Sequence, residues 1–74
     1  MTTYPPVSTQ LGMVRQEIAE LSFLLERHEN WSRQTDDQNL QKVHRQVATE
    51  LEKALFEMKK VMTTLETAVQ ESKE

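Results

Sequence analysis

The sequence contains two series of apolar residues at helical spacing, and the two series do not share a phase. The first recurs at intervals of three and four residues and comprises Val7, Leu11, Val14, Ile18, Leu21 and Leu25. The second has the same spacing and comprises Leu40, Val43, Val47, Leu51, Ala54, Met58, Val61, Leu65 and Ala68. Continuing the first series meets polar residues, beginning with His28, Ser32 and Thr35. A single helix would turn its apolar stripe away from its own continuation, so two helices folded against each other are predicted.

Local signals set the start of the first helix. Pro5 and Pro6 disfavour helical residues ahead of them, so residues 1–7 are predicted to form an extended or disordered leader. Ser8 follows as the expected N-cap, because its hydroxyl can accept a hydrogen bond from a free backbone N–H. The first helix is predicted over about residues 8–30.

A polar stretch marks the turn and the start of the second helix. The turn is predicted over about residues 31–35, although it contains neither Gly nor Pro. Thr35 followed by Gln38 has the pattern of a capping box, which indicates a new helix start. The second helix is predicted over about residues 36–71, with a frayed tail at 72–74.

These elements predict an all-α fold, an antiparallel two-helix hairpin resembling a coiled coil, as a single domain over residues 8–71. The second helix is expected to be longer than the first. If the turn is centred near residues 33–34, Val7 at the N-terminal limit of the first helix lies opposite Val61 of the second. Residues 62–74 would then project beyond it as an overhang.

Composition limits the classes of partner and the location. The chain has 74 residues, no Cys and a net charge of −3 with both signs interspersed. It offers no basic stripe for nucleic acid and no apolar run long enough for a membrane span. The sequence shows no signal-peptide pattern either, so a cytoplasmic location is expected. A chain of this size buries only about 60% of its unfolded surface, so a partner or self-association is expected to add stability.

Few residues point to chemistry. Asp36 and Asp37 form a carboxylate pair, but at a helix start they are expected to act as capping residues. His28 and His44 can approach each other near the turn, yet their spacing is not that of a metal site. No nucleophile with a base and no phosphate-binding loop is present. We therefore expect a non-enzymatic protein with no cofactor, no metal and no small-molecule substrate.

The second helix has more apolar residues than contact with one neighbouring helix requires. The predicted partner-binding residues on it are Leu55, Phe56, Met62, Leu65 and Val69. The alternative for this face is burial in a self-associated bundle. Trp31, the only Trp, is predicted either to cover the open end of the hairpin or to anchor an interface. The leader segment Tyr4-Pro5-Pro6-Val7 also matches a loose tyrosine-x-x-apolar docking motif, and whether it serves as one is left open.

Two short segments of the second helix are similar to those of a known family. Gln38-Asn39-Leu40-Gln41 is similar to a Gln-Tyr-Gln segment, and Leu51-Glu52-Lys53-Ala54-Leu55 to a Leu-Glu-x-Ala-Ile/Leu segment. With the short first helix and polar turn, the layout over about residues 20–65 resembles the small two-helix cochaperones of type III secretion systems. Departures are Leu40 where the family favours Tyr, the absence of Gly in the turn and the Tyr-Pro-Pro-Val leader.

The resemblance implies a partner and a role. Members of that family pair with a TPR-like chaperone to hold a needle subunit monomeric in the bacterial cytosol, and the second helix would be the docking face. Together with the residue pattern, it predicts a protein-binding hairpin that keeps a helical partner soluble, as a cochaperone or assembly subunit. The alternative is a homo-oligomeric coiled-coil scaffold, with two hairpins forming a four-helix bundle, or a structural subunit of a larger complex.

Overall fold

The computed structural model describes residues 4–72, which form two α-helices joined by a short turn. Helix α1 spans Val7–Gln34 and helix α2 spans Gln38–Ser72, with lengths of 28 and 35 residues. The helices run antiparallel and contact each other within a body of 53 × 21 × 14 Å. The predicted all-α, antiparallel two-helix hairpin with a longer second helix is confirmed. Residues 1–3 of the predicted leader and 73–74 of the predicted tail lie outside the described residues.

Helix α1 begins at Val7, one residue before the predicted start. Pro6 flanks it with backbone angles of φ −55° and ψ 154°, and its carbonyl accepts a hydrogen bond from the Gln10 N–H over 3.0 Å. The Gln10 side-chain amide also donates to the Pro5 carbonyl at 2.8 Å. Ser8, the predicted N-cap, therefore lies inside the first turn, because Pro6 already supplies the first accepting carbonyl.

Helix α1 also ends later than predicted. It continues through Gln34, so residues 31–34 of the predicted turn are helical. The Ser32 hydroxyl donates to the Glu29 carbonyl at 2.7 Å, a bond that lets a serine lie in the final turns of a helix. The connection between the helices is only the three residues 35–37.

Asp37 caps helix α2, as expected of one member of the Asp36–Asp37 pair, whereas Thr35, the residue expected to begin a capping box, does not. One Asp37 carboxylate oxygen accepts hydrogen bonds from the backbone N–H groups of Asn39 and Leu40, at 2.8 and 3.2 Å. The Thr35 hydroxyl instead accepts from the Asp37 N–H at 3.2 Å, and the Thr35 carbonyl accepts from the Gln41 side chain at 2.9 Å. The carboxylate lies at the correct separation from two free donors and adds a favourable interaction with the helix dipole.

The first apolar series forms the side of α1 that packs against α2, as predicted. Leu11 is buried, and the following four members, Val14, Ile18, Leu21 and Leu25, are half-buried. Towards the turn the same stripe continues in half-buried polar residues, namely His28, Ser32 and Thr35. The contact between the helices is therefore apolar over most of its length and polar at the turn.

Helix α2 is rotated about its axis relative to the prediction. Ala48 and Leu55, which lay outside the predicted stripe, are only 6% and 7% exposed. Leu40, Val43 and Val61 of the predicted stripe are 47%, 53% and 44% exposed. The predicted set of contact residues on α2 is therefore wrong in part.

The observed contact stripe of α2 has the spacing of a coiled-coil seam. It comprises Gln41, His44, Ala48, Leu51, Leu55, Met58, Met62, Leu65 and Val69, all buried or half-buried, and Val47, Ala54 and Ala68 of the predicted series are half-buried beside it. The predicted series shares Leu51, Met58 and Leu65 with it, so the error is a rotation of roughly 50°, half the angle between successive residues. Ala48 is the smallest of the three buried side chains in the described part of the hairpin.

The predicted overhang of residues 62–74 is wrong for the part of it that the structure describes. The Arg15 guanidinium lies 3.1 Å from the Glu66 carboxylate, and Leu11 shares a groove with Val69. The observed turn lies closer to the C-terminus than the predicted one. Helix α1 is therefore longer than predicted, and α2 pairs with it in a shifted register. The start of α1 therefore reaches the last turns of α2.

Replacement of Leu55 by Ala should lower the free energy of unfolding by about 2–5 kcal/mol, because it leaves a cavity between the helices. Phe56→Ala is the matched control, since the neighbouring ring is 60% exposed and its loss should cost less than about 1 kcal/mol. Urea denaturation followed by circular dichroism measures both. Equal effects would contradict the observed rotation of α2.

Replacement of Asp37 by Ala should cost about 1 kcal/mol, because two backbone N–H groups lose their acceptor. Asp36→Ala removes the same charge from the same turn but leaves those two hydrogen bonds intact, so it should lower the free energy of unfolding by only a few tenths of a kcal/mol. Thermal melts of the two variants would decide the point. A larger effect at Asp36 would mean that the cap is assigned to the wrong carboxylate.

Candidate partner-binding surface

The face predicted to bind a partner lies mostly inside the hairpin. Leu55 is buried, and Met62 and Val69 are half-buried on the same stripe. Leu55, one of the predicted partner-binding residues, is therefore not accessible to a partner in the folded hairpin, because α2 turns this stripe towards α1. Leu65 is also half-buried, but it lines an open groove together with Met13 of α1.

Phe56 is exposed, as predicted, but it lies apart from the other candidates. The Lys60 ammonium is 4.4 Å from the centroid of its ring. On α1, Phe23 has a comparable neighbour, with the Arg27 guanidinium carbon 5.5 Å from the ring centroid. Such cation–π contacts contribute about 0.5–1 kcal/mol at exposed sites. Each ring is therefore covered in part by a basic side chain of its own helix.

The rotation of α2 leaves an apolar stripe on one side of the hairpin. Five of the contact residues of α2 are spaced seven apart, namely Gln41, Ala48, Leu55, Met62 and Val69, and the residue before each of them is apolar: Leu40, Val47, Ala54, Val61 and Ala68. In an antiparallel pair, the corresponding positions of the two helices lie on the same side. A groove shared by Val61 with Met13 and Val14 of α1 agrees with this arrangement.

We call this side of the hairpin the apolar flank. On helix α1, Leu24 and Trp31 lie on this side, because each immediately precedes a residue of the α1 contact stripe, and Met13 lies beside them. On α2, Val43 extends the stripe. The flank therefore consists of Met13, Leu24, Trp31, Leu40, Val43, Val47, Ala54, Val61 and Ala68. Six of its nine members are exposed large apolar residues, and the other three, Val47, Ala54 and Ala68, are half-buried. Sequence reasoning assigned most of these residues to the interior.

The opposite side of the hairpin is polar. Its positions immediately follow contact residues and are occupied by Ser8, Arg15, Ser22, Glu29, Arg45, Glu52, Lys59 and Glu66. Arg15 and Glu66 form an ion pair across the two helices on this side. The pair is partly exposed and contributes little to stability, at most about 1 kcal/mol. The hairpin thus presents two chemically different flanks.

An aromatic cluster closes the turn end of the apolar flank. The Nδ1 atoms of His28 and His44 are 3.1 Å apart, so one ring donates and the other accepts. The Trp31 ring lies edge-on to His28, with ring centroids 5.1 Å apart, and 5.6 Å from His44. Trp31 packs on the histidine pair with one side while 44% of its surface stays exposed. Its indole is therefore held in place and still accessible.

The other end of the flank is bordered by the segment before α1. Tyr4 and Pro5 line the same groove as Met13 and Val61, and Pro6 lies beside Val69 in an adjoining groove. The segment thus folds back along the hairpin instead of extending away from it. The apolar flank runs between this segment and the aromatic cluster.

Known chemistry and known proteins give no further assignment. Within residues 4–72, no group of three or more His, Cys, Asp or Glu side chains is placed to hold a metal ion. Neither helix has, over the same range, an apolar stretch sufficient to cross a membrane. Comparison with known proteins finds no matching family, curated protein or solved structure.

Adjacent residues of α2 should respond differently to a charge. Met62→Asp places a carboxylate between the helices and should lower the free energy of unfolding by at least about 2 kcal/mol. Val61→Asp places it on the exposed flank and should change it by less than about 0.5 kcal/mol. Circular dichroism melts test this pair. A larger loss at Val61 than at Met62 would show that the flank is part of the core.

Proposed function

We propose that this chain is a non-enzymatic, protein-binding helical hairpin that keeps a helical partner soluble, as a small cochaperone or assembly subunit. The observation that carries the proposal is the apolar flank, which runs from Trp31 to Val61 and beyond on one side of the molecule only. A contiguous apolar surface bordered by charge is typical of a protein interface.

The exposed side chains of the flank supply enough binding energy for such a role. A large side chain contributes about 1.5–3 kcal/mol when it passes from full exposure to full burial, and the large side chains of the flank are about half exposed, so each would contribute roughly half of that value. Trp31 is the strongest candidate for an anchor, because it combines a large rigid ring with a fixed orientation. Burial of three or four such residues would offset a substantial part of the entropy lost on association.

The resemblance to type III secretion cochaperones suggests a biological setting. In that setting the partner is a TPR-like chaperone and the complex works in the cytoplasm. Each of the two segments that carry the resemblance contributes one residue to the apolar flank, Leu40 and Ala54 respectively. The flank, rather than the stripe around Leu55, would then be the docking face.

A homo-oligomeric scaffold is the alternative function, and the same flank favours it. Two hairpins that pack their apolar flanks together form a four-helix bundle, which buries the stripe without a foreign partner. In this case the chain would be a structural subunit. The two functions differ in the state of the isolated chain.

Co-purification from the native host provides a direct test of the flank as the partner surface. Val61→Asp should reduce recovery of the bound protein at least about tenfold, because the charge must be desolvated on binding. Thr63→Asp is the matched control, because it adds the same charge to an exposed position of α2 off the flank. Equal recovery with both variants would contradict the proposal.

Sedimentation equilibrium of the isolated chain separates the two functions. A monomer over a wide range of concentration is expected for a chain that binds a foreign partner. A stable dimer that Val61→Asp dissociates would assign the flank to self-association and favour the scaffold.

A further inference from the structure

The borders of the apolar flank are acidic. On α2, Glu50, Glu57 and Glu71 follow Val43 at multiples of seven residues and therefore lie along the same edge. On α1, Glu20 follows Met13 by seven residues and Glu17 precedes Leu24 by seven. Among the described residues at these positions, the single base is Arg27.

The acidic borders are a property of this side and not of the whole chain. The net charge of all 74 residues is only −3, so the remaining surface is close to balanced. The polar flank carries three bases, Arg15, Arg45 and Lys59, and an equal number of acids, Glu29, Glu52 and Glu66. The acidic excess therefore lies along the borders of the apolar flank, whereas the polar flank is balanced.

The carboxylates on the α2 border remain available to a partner. Glu50 and Glu57 approach Lys53 and Lys60 at 3.5 and 3.4 Å, and their side chains stay 63% and 70% exposed. Exposed pairs at this spacing contribute only about 0.3–0.5 kcal/mol, so a better-placed base can displace them. The two lysines lie one position further from the flank.

We propose that the apolar flank binds one amphipathic helix of a partner protein, whose apolar stripe is bordered by Lys and Arg. The inference rests on the proposed function and adds the chemistry of the partner. Such a helix would lie in the groove between α1 and α2 and complete a three-helix bundle. Its basic borders would meet Glu20 on one side and Glu50 and Glu57 on the other.

A second copy of this chain fits the flank less well. Packing two copies flank to flank brings one acidic border close to the other, and like charges in contact are unfavourable. An anionic membrane surface is disfavoured by the same carboxylates. The charge pattern therefore selects a basic helix among the possible occupants.

The size of the flank sets the length of the helix that fits. Along α2 the flank extends from Leu40 to Ala68, which corresponds to roughly 40 Å at the rise of an α-helix. A partner helix of up to about 28 residues could contact it throughout. Trp31 at the turn end provides an optical signal for binding.

The test uses two synthetic peptides of about 28 residues that share a Leu/Ala stripe and lack Trp. One has Lys at the stripe borders and the other has Glu, and binding to the full chain is followed by Trp31 fluorescence. The Lys peptide should bind at least about tenfold more tightly than the Glu peptide at low salt. This preference should shrink at about 500 mM salt, where charges are screened.

Charge-neutral variants locate the effect. The triple variant Glu20→Gln, Glu50→Gln, Glu57→Gln should lose most of the preference for the Lys peptide. The control variant Glu26→Gln, Glu29→Gln, Glu52→Gln removes the same charge away from the flank and should retain the preference. Thermal melts of both variants check that the hairpin is still folded.

Three results would overturn the inference. Equal binding of both peptides would show that the flank does not select charge, and binding of neither would show that it does not take such a helix. A dimer that excludes the Lys peptide would assign the flank to a second copy. The first two results leave the proposed function open to its own test, because co-purification with Val61→Asp does not depend on peptide charge.

Discussion

The rotational setting of α2 against α1 is the constraint on which the rest of the structure depends. Leu55 and Ala48 lie against α1, and the stripe that precedes them in sequence then lies at the edge of the contact, with Val47, Ala54 and Ala68 half-buried and Leu40 and Val61 exposed. The same contact fixes which side chains border each flank. Leu65 lies next to the apolar flank, whereas Val69 lies next to the Arg15–Glu66 ion pair on the other side. One packing choice thus decides both the core and the exposed surface.

The hairpin could be predicted from the sequence because the two apolar series differ in phase, and the stripe on α1 is narrow enough to have one solution. The stripe on α2 is wide, and two sets of residues share Leu51, Met58 and Leu65. Both sets have helical spacing, so periodicity alone does not choose between them. The choice depends on how α2 packs against α1, which is a tertiary effect that a single helix does not reveal.

The turn shows a second limit of local sequence signals. Thr35 and Asp37 are both good capping residues, and neither Gly nor Pro marks the connection. The structure uses Asp37 as the cap and lets α1 continue through Trp31. This shift changes the register of the whole pair, which is why the overhang was predicted but is not observed. An error of a few residues at a short turn therefore propagates along the full length of a hairpin.

The small size of the buried core links the stability of the hairpin to the binding of a partner. Only Leu11, Ala48 and Leu55 are buried among the described residues, and the contact near the turn is polar. A helix that covers the apolar flank would also shield Leu65 and complete the packing around it. A partner that binds only the folded form stabilises that form, and the stabilisation grows with the logarithm of the partner concentration relative to Kd. A partner helix on the exposed flank would therefore add the buried contacts that the two-helix core lacks, and would stabilise the hairpin.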